Sequence, residues 1–142
     1  MKIVSACLAG VNCKWDGSSR PNKEIMRLIE CGKAIPVCPE QLGGLPTPRP
    51  QTEQKDGRVL TKTGEDMTAQ FEQGAREALR IAQLAKCDEA ILKSHSPTCG
   101  VGKVYDGTFS GNLIEGDGVF AKLLKENNIK VRTEEELERD QE

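Results

Sequence analysis

Brief apolar runs alternate with amphipathic stretches along this chain. Residues 2–6, 34–38 and 89–93 are brief, mostly apolar runs of the length that buried strands take, and 129–132 reads as a last strand. Pro36 cannot donate to a ladder, which places the second run at a sheet edge or the proline at its start. Between the runs the period changes to that of a helix. Residues 23–31 put Ile25, Leu28 and Ile29 on one face, with Asn22 as a cap and Gly32 at the left-handed position past the end. Residues 68–85 carry a stripe of Phe71, Ala75, Ala78, Leu79, Ala82 and Ala85, and these alanines with Gly74 predict close packing on a sheet. Asp117 is placed to cap a helix over 118–126 that buries Val119, Phe120, Leu123 and Leu124. Thr133 with Glu136 predicts a capped, short terminal helix, and the charged end at 138–142 is expected to fray. Residues 7–17 and 39–50 read as loops, 51–63 as a polar connection with a short strand at 58–60, and 104–111 as a hairpin region. Strands alternating with helices predict an α/β fold: one domain over 1–142, built as a three-layer sandwich with a mostly parallel sheet and helices on both faces.

Charge and composition narrow the function classes. Twenty basic residues face twenty-two acidic ones, so no electrostatic footprint for a nucleic-acid duplex is expected. No apolar run approaches the roughly 20 residues that cross a bilayer, and the first residues do not form a secretory signal. The expected compartment is the cytoplasm. There, six cysteines are metal ligands, catalytic groups or small buried hydrophobes rather than disulfides. None is paired as Cys-x-x-Cys, which argues against a zinc ribbon, and the single His95 excludes a multi-histidine zinc site.

Three of the predicted strands run into a cysteine: Ile3-Val4-Ser5-Ala6-Cys7, Ala34-Ile35-Pro36-Val37-Cys38, and the run that ends in Lys93-Ser94-His95-Ser96-Pro97-Thr98-Cys99. Ligands of open α/β sheets bind past the carboxyl ends of strands. Cys7, Cys38 and Cys99 are therefore expected at one sheet edge. They read either as buried apolar residues or as three thiolates for a soft metal or an iron–sulfur cluster, with one coordination position left open. Cys13 is a ligand, a catalytic thiol or a packing residue. Cys31 and Cys87, near helix ends, read as structural. Glu40 is either a solvated loop carboxylate or a proton-transfer group beside the metal. Ser94 and Ser96 either cap loop backbone or meet a ligand. His95 has no obvious acid or nucleophile as partner.

The segments Ser5-Ala6-Cys7-Leu8-Ala9-Gly10-Val11-Asn12-Cys13, Val37-Cys38-Pro39-Glu40-Gln41-Leu42-Gly43-Gly44-Leu45-Pro46-Thr47-Pro48-Arg49, Leu92-Lys93-Ser94-His95-Ser96-Pro97-Thr98-Cys99-Gly100 and Tyr105-Asp106-Gly107-Thr108-Phe109-Ser110-Gly111 resemble the 2-thiouracil desulfurase family. The resemblance covers residues 2 to about 137. It implies an oxygen-sensitive 4Fe-4S cluster, lost in air, on Cys7, Cys38 and Cys99. It implies non-redox desulfuration of a small thiolated pyrimidine such as 2-thiouracil, giving uracil and hydrosulfide. Glu40 would move protons, Ser94 would bind or protonate the substrate with Ser96 second in that role, and Cys13 would stand against the substrate. His95 occupies a position where the family leads one to expect arginine. The rival expectation is a non-catalytic module that stores or senses zinc or an iron–sulfur cluster on the same thiolates. Oligomeric state is not legible.

Overall fold

Every strand of the main sheet is four residues long and runs parallel to its neighbours. The structure, a computed structural model, describes residues 1–140; Gln141 and Glu142, part of the tail expected to fray, lie outside the described residues. In chain order the elements are β1 (Lys2–Ser5), a 3-10 turn (Ala6–Ala9), α1 (Lys23–Glu30), β2 (Ala34–Val37), α2 (Pro39–Leu42), β3 (Thr52–Lys55), β4 (Arg58–Thr61), α3 (Thr68–Leu84), β5 (Glu89–Leu92), β6 (Lys103–Tyr105), β7 (Leu113–Glu115), α4 (Val119–Glu126), β8 (Lys130–Thr133) and α5 (Glu134–Asp140). The sheet order is β2-β1-β5-β8, and β3-β4 and β6-β7 form two antiparallel hairpins. The architecture is α/β, a four-stranded parallel sheet with small antiparallel hairpins.

Alternate strand residues feed two cores, as the two-residue strand period requires. Ile3, Val37, Ala90 and Leu92 pack with Ala75, Ala78 and Ala82 of α3 and Phe120, Ala121 and Leu124 of α4. Val4, Ala34 and Ile91 pack with Leu8, Ile25 of α1 and Leu137 of α5. Ile3, Val4, Ile91 and Leu92 are wholly buried, and each such side chain contributes about 1.5–3 kcal/mol relative to exposure. β2 is an edge strand, which is where Pro36 had to go. Asn22 caps α1 by accepting from the Ile25 N–H, and Gly32 takes φ +72 past its end.

Four elements differ from the expectation. Residues 39–42, read as loop, form one helical turn, because Pro39 suits a first helical position. Ala6, read as the end of the first strand, and residues 7–9, read as loop, form a 3-10 turn. Polar Thr52–Lys55 forms a strand that pairs with β4. Asp117 does not cap α4: it accepts from the Gly102 N–H and pairs with Lys125. The first amides of α4 go instead to loop carbonyls, Val119 N to Pro97 O and Phe120 N to Thr98 O, both at 2.9 Å. Gly74 has a different neighbour too. A Cβ there would lie 1.8 Å from Pro39 O, so α3 touches the backbone of α2 at this residue. Among the described residues, no helix is long and apolar enough to cross a membrane.

Candidate active site

All four strands of the sheet end on one edge because all four are parallel. In register, Ser5 lies opposite Val37, Val4 opposite Ile91, and Leu92 opposite Thr133. The residues that follow each strand are thereby delivered side by side: Ala6-Cys7, Cys38, Lys93-Ser94 and Glu134. A cavity of about 280 Å³ opens over this edge. It is large enough to hold many ordered waters or a bound group of comparable size. Cys7, Cys13, Cys38, Glu40, Ser94, Ser96 and Cys99 all line it. Cys31 is exposed and Cys87 is buried beneath the sheet, and neither reaches the cavity.

The loop that carries Cys99 is held from two sides. Ser96 Oγ accepts from the Thr98 and Cys99 N–H groups at 3.0 Å each, the backbone-capping role. Gly118 lies so close beneath that a Cβ would be 2.3 Å from Thr98 O. α2 is pinned as tightly through Gly43 and Gly74. Cys38 stands just before α2, and Glu40 projects from its first turn.

Glu40 is not a solvated loop carboxylate. Its Oε1 accepts from Arg49 Nε and its Oε2 from Thr98 Oγ1, each at 2.8 Å. Arg49 is itself buried and also donates to Cys13 O, Pro46 O and Thr47 Oγ1. One guanidinium fork thus ties together the Cys13 loop, α2 and the proline-rich loop. Each Glu40 oxygen keeps a second acceptor position.

The thiols differ in acidity. A hydrogen bond from the Cys13 thiol brings Cys38 down to about 7, aided by the Gln41 N–H and the Arg49 charge and opposed by burial and Glu40. The same bond raises Cys13, which keeps the proton. Cys38 Sγ also lies 3.7 Å from Cys13 O, a contact that is a hydrogen bond only when Cys38 is protonated. Burial pushes Cys7 up to about 11, with Lys93 pulling the other way. Burial also raises Cys99 well above the ordinary cysteine value, against a hydrogen bond from Ser5. Cationic iron would reverse the effect of burial, because a coordinating thiol is deprotonated outright.

Among the described residues, no three Cys, His, Asp or Glu side chains converge on a point that one metal ion could occupy. Cys7, Cys38 and Cys99 nonetheless line one cavity. Thiols spread around a space suit a body wider than a single ion.

Several residues at this edge were not assigned from sequence. Glu134 accepts from Ser94, and Lys93 lies 3.5 Å from Glu134. Thr98 and Arg49 hold Glu40. The signal for Glu134 was its place as the first residue after a parallel strand. His95 proves to have a partner: it stands edge-on to Tyr105 at 6.1 Å, with Nε2 3.5 Å from Glu135 Oε1.

The geometry has relatives. The model of the 2-thiouracil desulfurase family matches residues 3–136. The chain is 40% identical over 147 residues to the uncharacterized protein YbbK of Bacillus subtilis (strain 168), across 96% of this chain and 97% of that one. It is also similar to the solved structure of TudS, a [4Fe-4S]-dependent thiouracil desulfidase. That match has a TM-score of 0.91 and 40% identity, over 96% of this chain and 92% of the other.

Proposed function

The chain belongs to the 2-thiouracil desulfurase family, and from that premise we propose that it is a [4Fe-4S]-dependent desulfurase. It acts on a small thiolated pyrimidine such as 2-thiouracil and releases uracil and hydrosulfide. The observation that carries this reading is the meeting of Cys7, Cys38 and Cys99, from three strand ends, in one cavity with Glu40 and Ser94. We read the whole chain as one domain, a three-layer sandwich whose open sheet edge is the site. Six free cysteines suit a reducing cytoplasm.

The donor set fits the cluster. Cys7, Cys38 and Cys99 would hold it, and a set of three leaves one iron free for a guest sulfur. When bound, the cluster supplies a Lewis acid and a sulfur acceptor. The remaining work falls to side chains. Water gives its oxygen to the ring carbon, the carbon–sulfur bond breaks, and sulfur leaves as hydrosulfide with no change in electron count. Water must lose protons as it adds. Glu40, with Arg49 and Thr98 fixing its carboxylate, is placed to take one at its open acceptor positions. Ser94 meets the ring. Cys13 keeps its proton and lines the wall beside Cys38. Ser96, whose oxygen already accepts twice from backbone, shapes the Cys99 loop first and meets substrate second.

The test is anaerobic reconstitution with iron and sulfide, followed by assay on 2-thiouracil, 4-thiouracil and 4-thiouridine. Loss of the thiocarbonyl absorbance is expected on at least one. Zinc near one equivalent, no labile sulfide and no turnover would overturn the reading in favour of a storage or sensor module.

A further inference from the structure

Glu134 stands behind the cavity wall, at the start of α5, and is 5% exposed. It faces Ser94 because β5 and β8 are paired and end together. Its Oε2 accepts from the Ser94 N–H at 2.9 Å. Its Oε1 accepts from the same N–H at 3.1 Å and from the Ser94 hydroxyl at 2.5 Å. Lys93 Nζ donates to the Ser94 carbonyl at 3.2 Å and to Ser94 Oγ at 3.1 Å.

A serine hydroxyl has one proton and two lone pairs. Here the proton goes to Glu134, and one lone pair goes to Lys93. A single acceptor position is left for whatever enters the cavity. We propose that Glu134 is a positioning residue that fixes Ser94 as a hydrogen-bond acceptor, so that the site selects a ring N–H beside the thiocarbonyl. This rests on the desulfurase reading. A thiolated pyrimidine in its lactam form presents such an N–H. The same ring methylated at that nitrogen, or deprotonated there, does not. Lys93 and Glu134 together leave Ser94 no low-energy rotor that points its proton at the ligand.

Glu134→Gln tests this at nearly constant shape. Its amide oxygen accepts from the Ser94 N–H, its amide NH2 then faces Oγ as a donor, and the hydroxyl proton turns toward the cavity. The cluster-loaded full-length variant should lose roughly 10- to 100-fold in kcat/KM for 2-thiouracil, mostly through KM, with wild-type iron content at a temperature where both proteins are folded. Glu134→Asp should recover part of the loss. In a Ser94→Ala background Glu134→Gln should add less than twofold. A second readout needs no turnover. In cluster-free, full-length protein, the Ser94 amide proton should resonate far downfield, move upfield in Glu134→Gln and stay in Glu134→Asp. Multiplying effects in the double variant, or an unmoved Ser94 amide resonance, would overturn the proposal. A wild-type protein inactive on every thiolated pyrimidine would overturn the functional reading instead, and the amide resonance would still decide the role of Glu134.

Discussion

Arg49 Nε donates to Glu40 Oε1 across 2.8 Å, with 4% of the arginine side chain and 15% of the glutamate side chain in contact with solvent. A buried pair of this kind is costly to break from one side, because the surviving charge stays in a poor solvent. Arg49→Met keeps much of the volume and should lower unfolding free energy by about 3–5 kcal/mol. Arg49→Lys keeps the charge but cannot span Glu40, Cys13 O and Thr47 Oγ1 together, so about 1–3 kcal/mol is expected. Urea denaturation of the cluster-free protein measures both. Equal midpoints for the two variants would show that the fork, and not the charge, is what matters.

Glu40→Gln separates proton transfer from architecture. The amide keeps an acceptor for one of its two donors, but the Arg49 charge is left unpaired at a cost of about 3–5 kcal/mol, so turnover is compared at a temperature where both proteins are folded. Removal of a general base lowers turnover by about 10²- to 10⁴-fold. The expected result is wild-type iron content with kcat reduced on that scale. Retention of more than a tenth of the wild-type kcat would move the base elsewhere, and the exchange of protons with water would need another carrier.

Cluster retention should follow position relative to the sheet edge. Cys7→Ala, Cys38→Ala and Cys99→Ala are each expected to lose most of the iron after anaerobic reconstitution. Cys31→Ala, at an exposed helix end, should keep all of it. Iron and labile sulfide analysis per protein decides the matter. Full iron in any of the first three would remove that cysteine from the ligand set.

The thiols should also part company in their pH response. Cys38 is held near 7, below the ordinary value of 9.0, so its thiolate stabilises the fold above pH 9. That contribution fades as pH falls from 9 through 7. Cys7 is raised to about 11, so its thiol form stabilises the fold below pH 9, and that contribution is lost as pH rises through 11. In cluster-free protein, iodoacetamide should modify Cys38 with a midpoint near pH 7 while Cys7 stays unmodified. Cys13→Ala removes the main stabilising hydrogen bond and should raise the Cys38 midpoint toward 9. Peptide mapping by mass spectrometry reads both.

The cysteines were legible because strand ends are legible: an apolar run followed by a polar loop marks the carboxyl end of a strand, and parallel strands share that edge. Pro36 at an edge and Asn22 as a cap were legible for equally local reasons. Thr133 is half of the capping box expected, its Oγ1 accepting from the Glu136 N–H at 3.4 Å. The misses came from contacts that no local pattern encodes. α2 is one turn long, too short to show a period. β3 is polar because it belongs to a small hairpin, where Glu53 turns its carboxylate to the Gly107 and Phe109 amides. Asp117 looked like a cap, but loop carbonyls from 97 and 98 took the α4 amides first. Glu134 meets Ser94 across 40 residues of chain, a pairing that only the sheet order creates.

Gly74 offers the sharpest test of how the scaffold holds the site. An alanine inside a helix normally stabilises it by about 1 kcal/mol over glycine. At Gly74 the added Cβ would lie 1.8 Å from Pro39 O and 3.0 Å from Gly43 N, both backbone atoms that no rotamer change can move aside. α2 must then lift from α3, and overpacking of this kind costs about 1–3 kcal/mol or more. Gly74→Ala should therefore be destabilised, opposite in sign to helix propensity, whereas Gln73→Ala on the exposed side of α3 should stay within about 0.5 kcal/mol of wild type. Because α2 carries Glu40, the lift also displaces the carboxylate from Thr98. Activity should fall by more than the folded fraction accounts for at a temperature where both variants are folded. Denaturation midpoints and kcat measured on the same preparations check the two halves. A stabilised Gly74→Ala would mean that α2 does not rest on α3 as closely as the 1.8 Å approach requires.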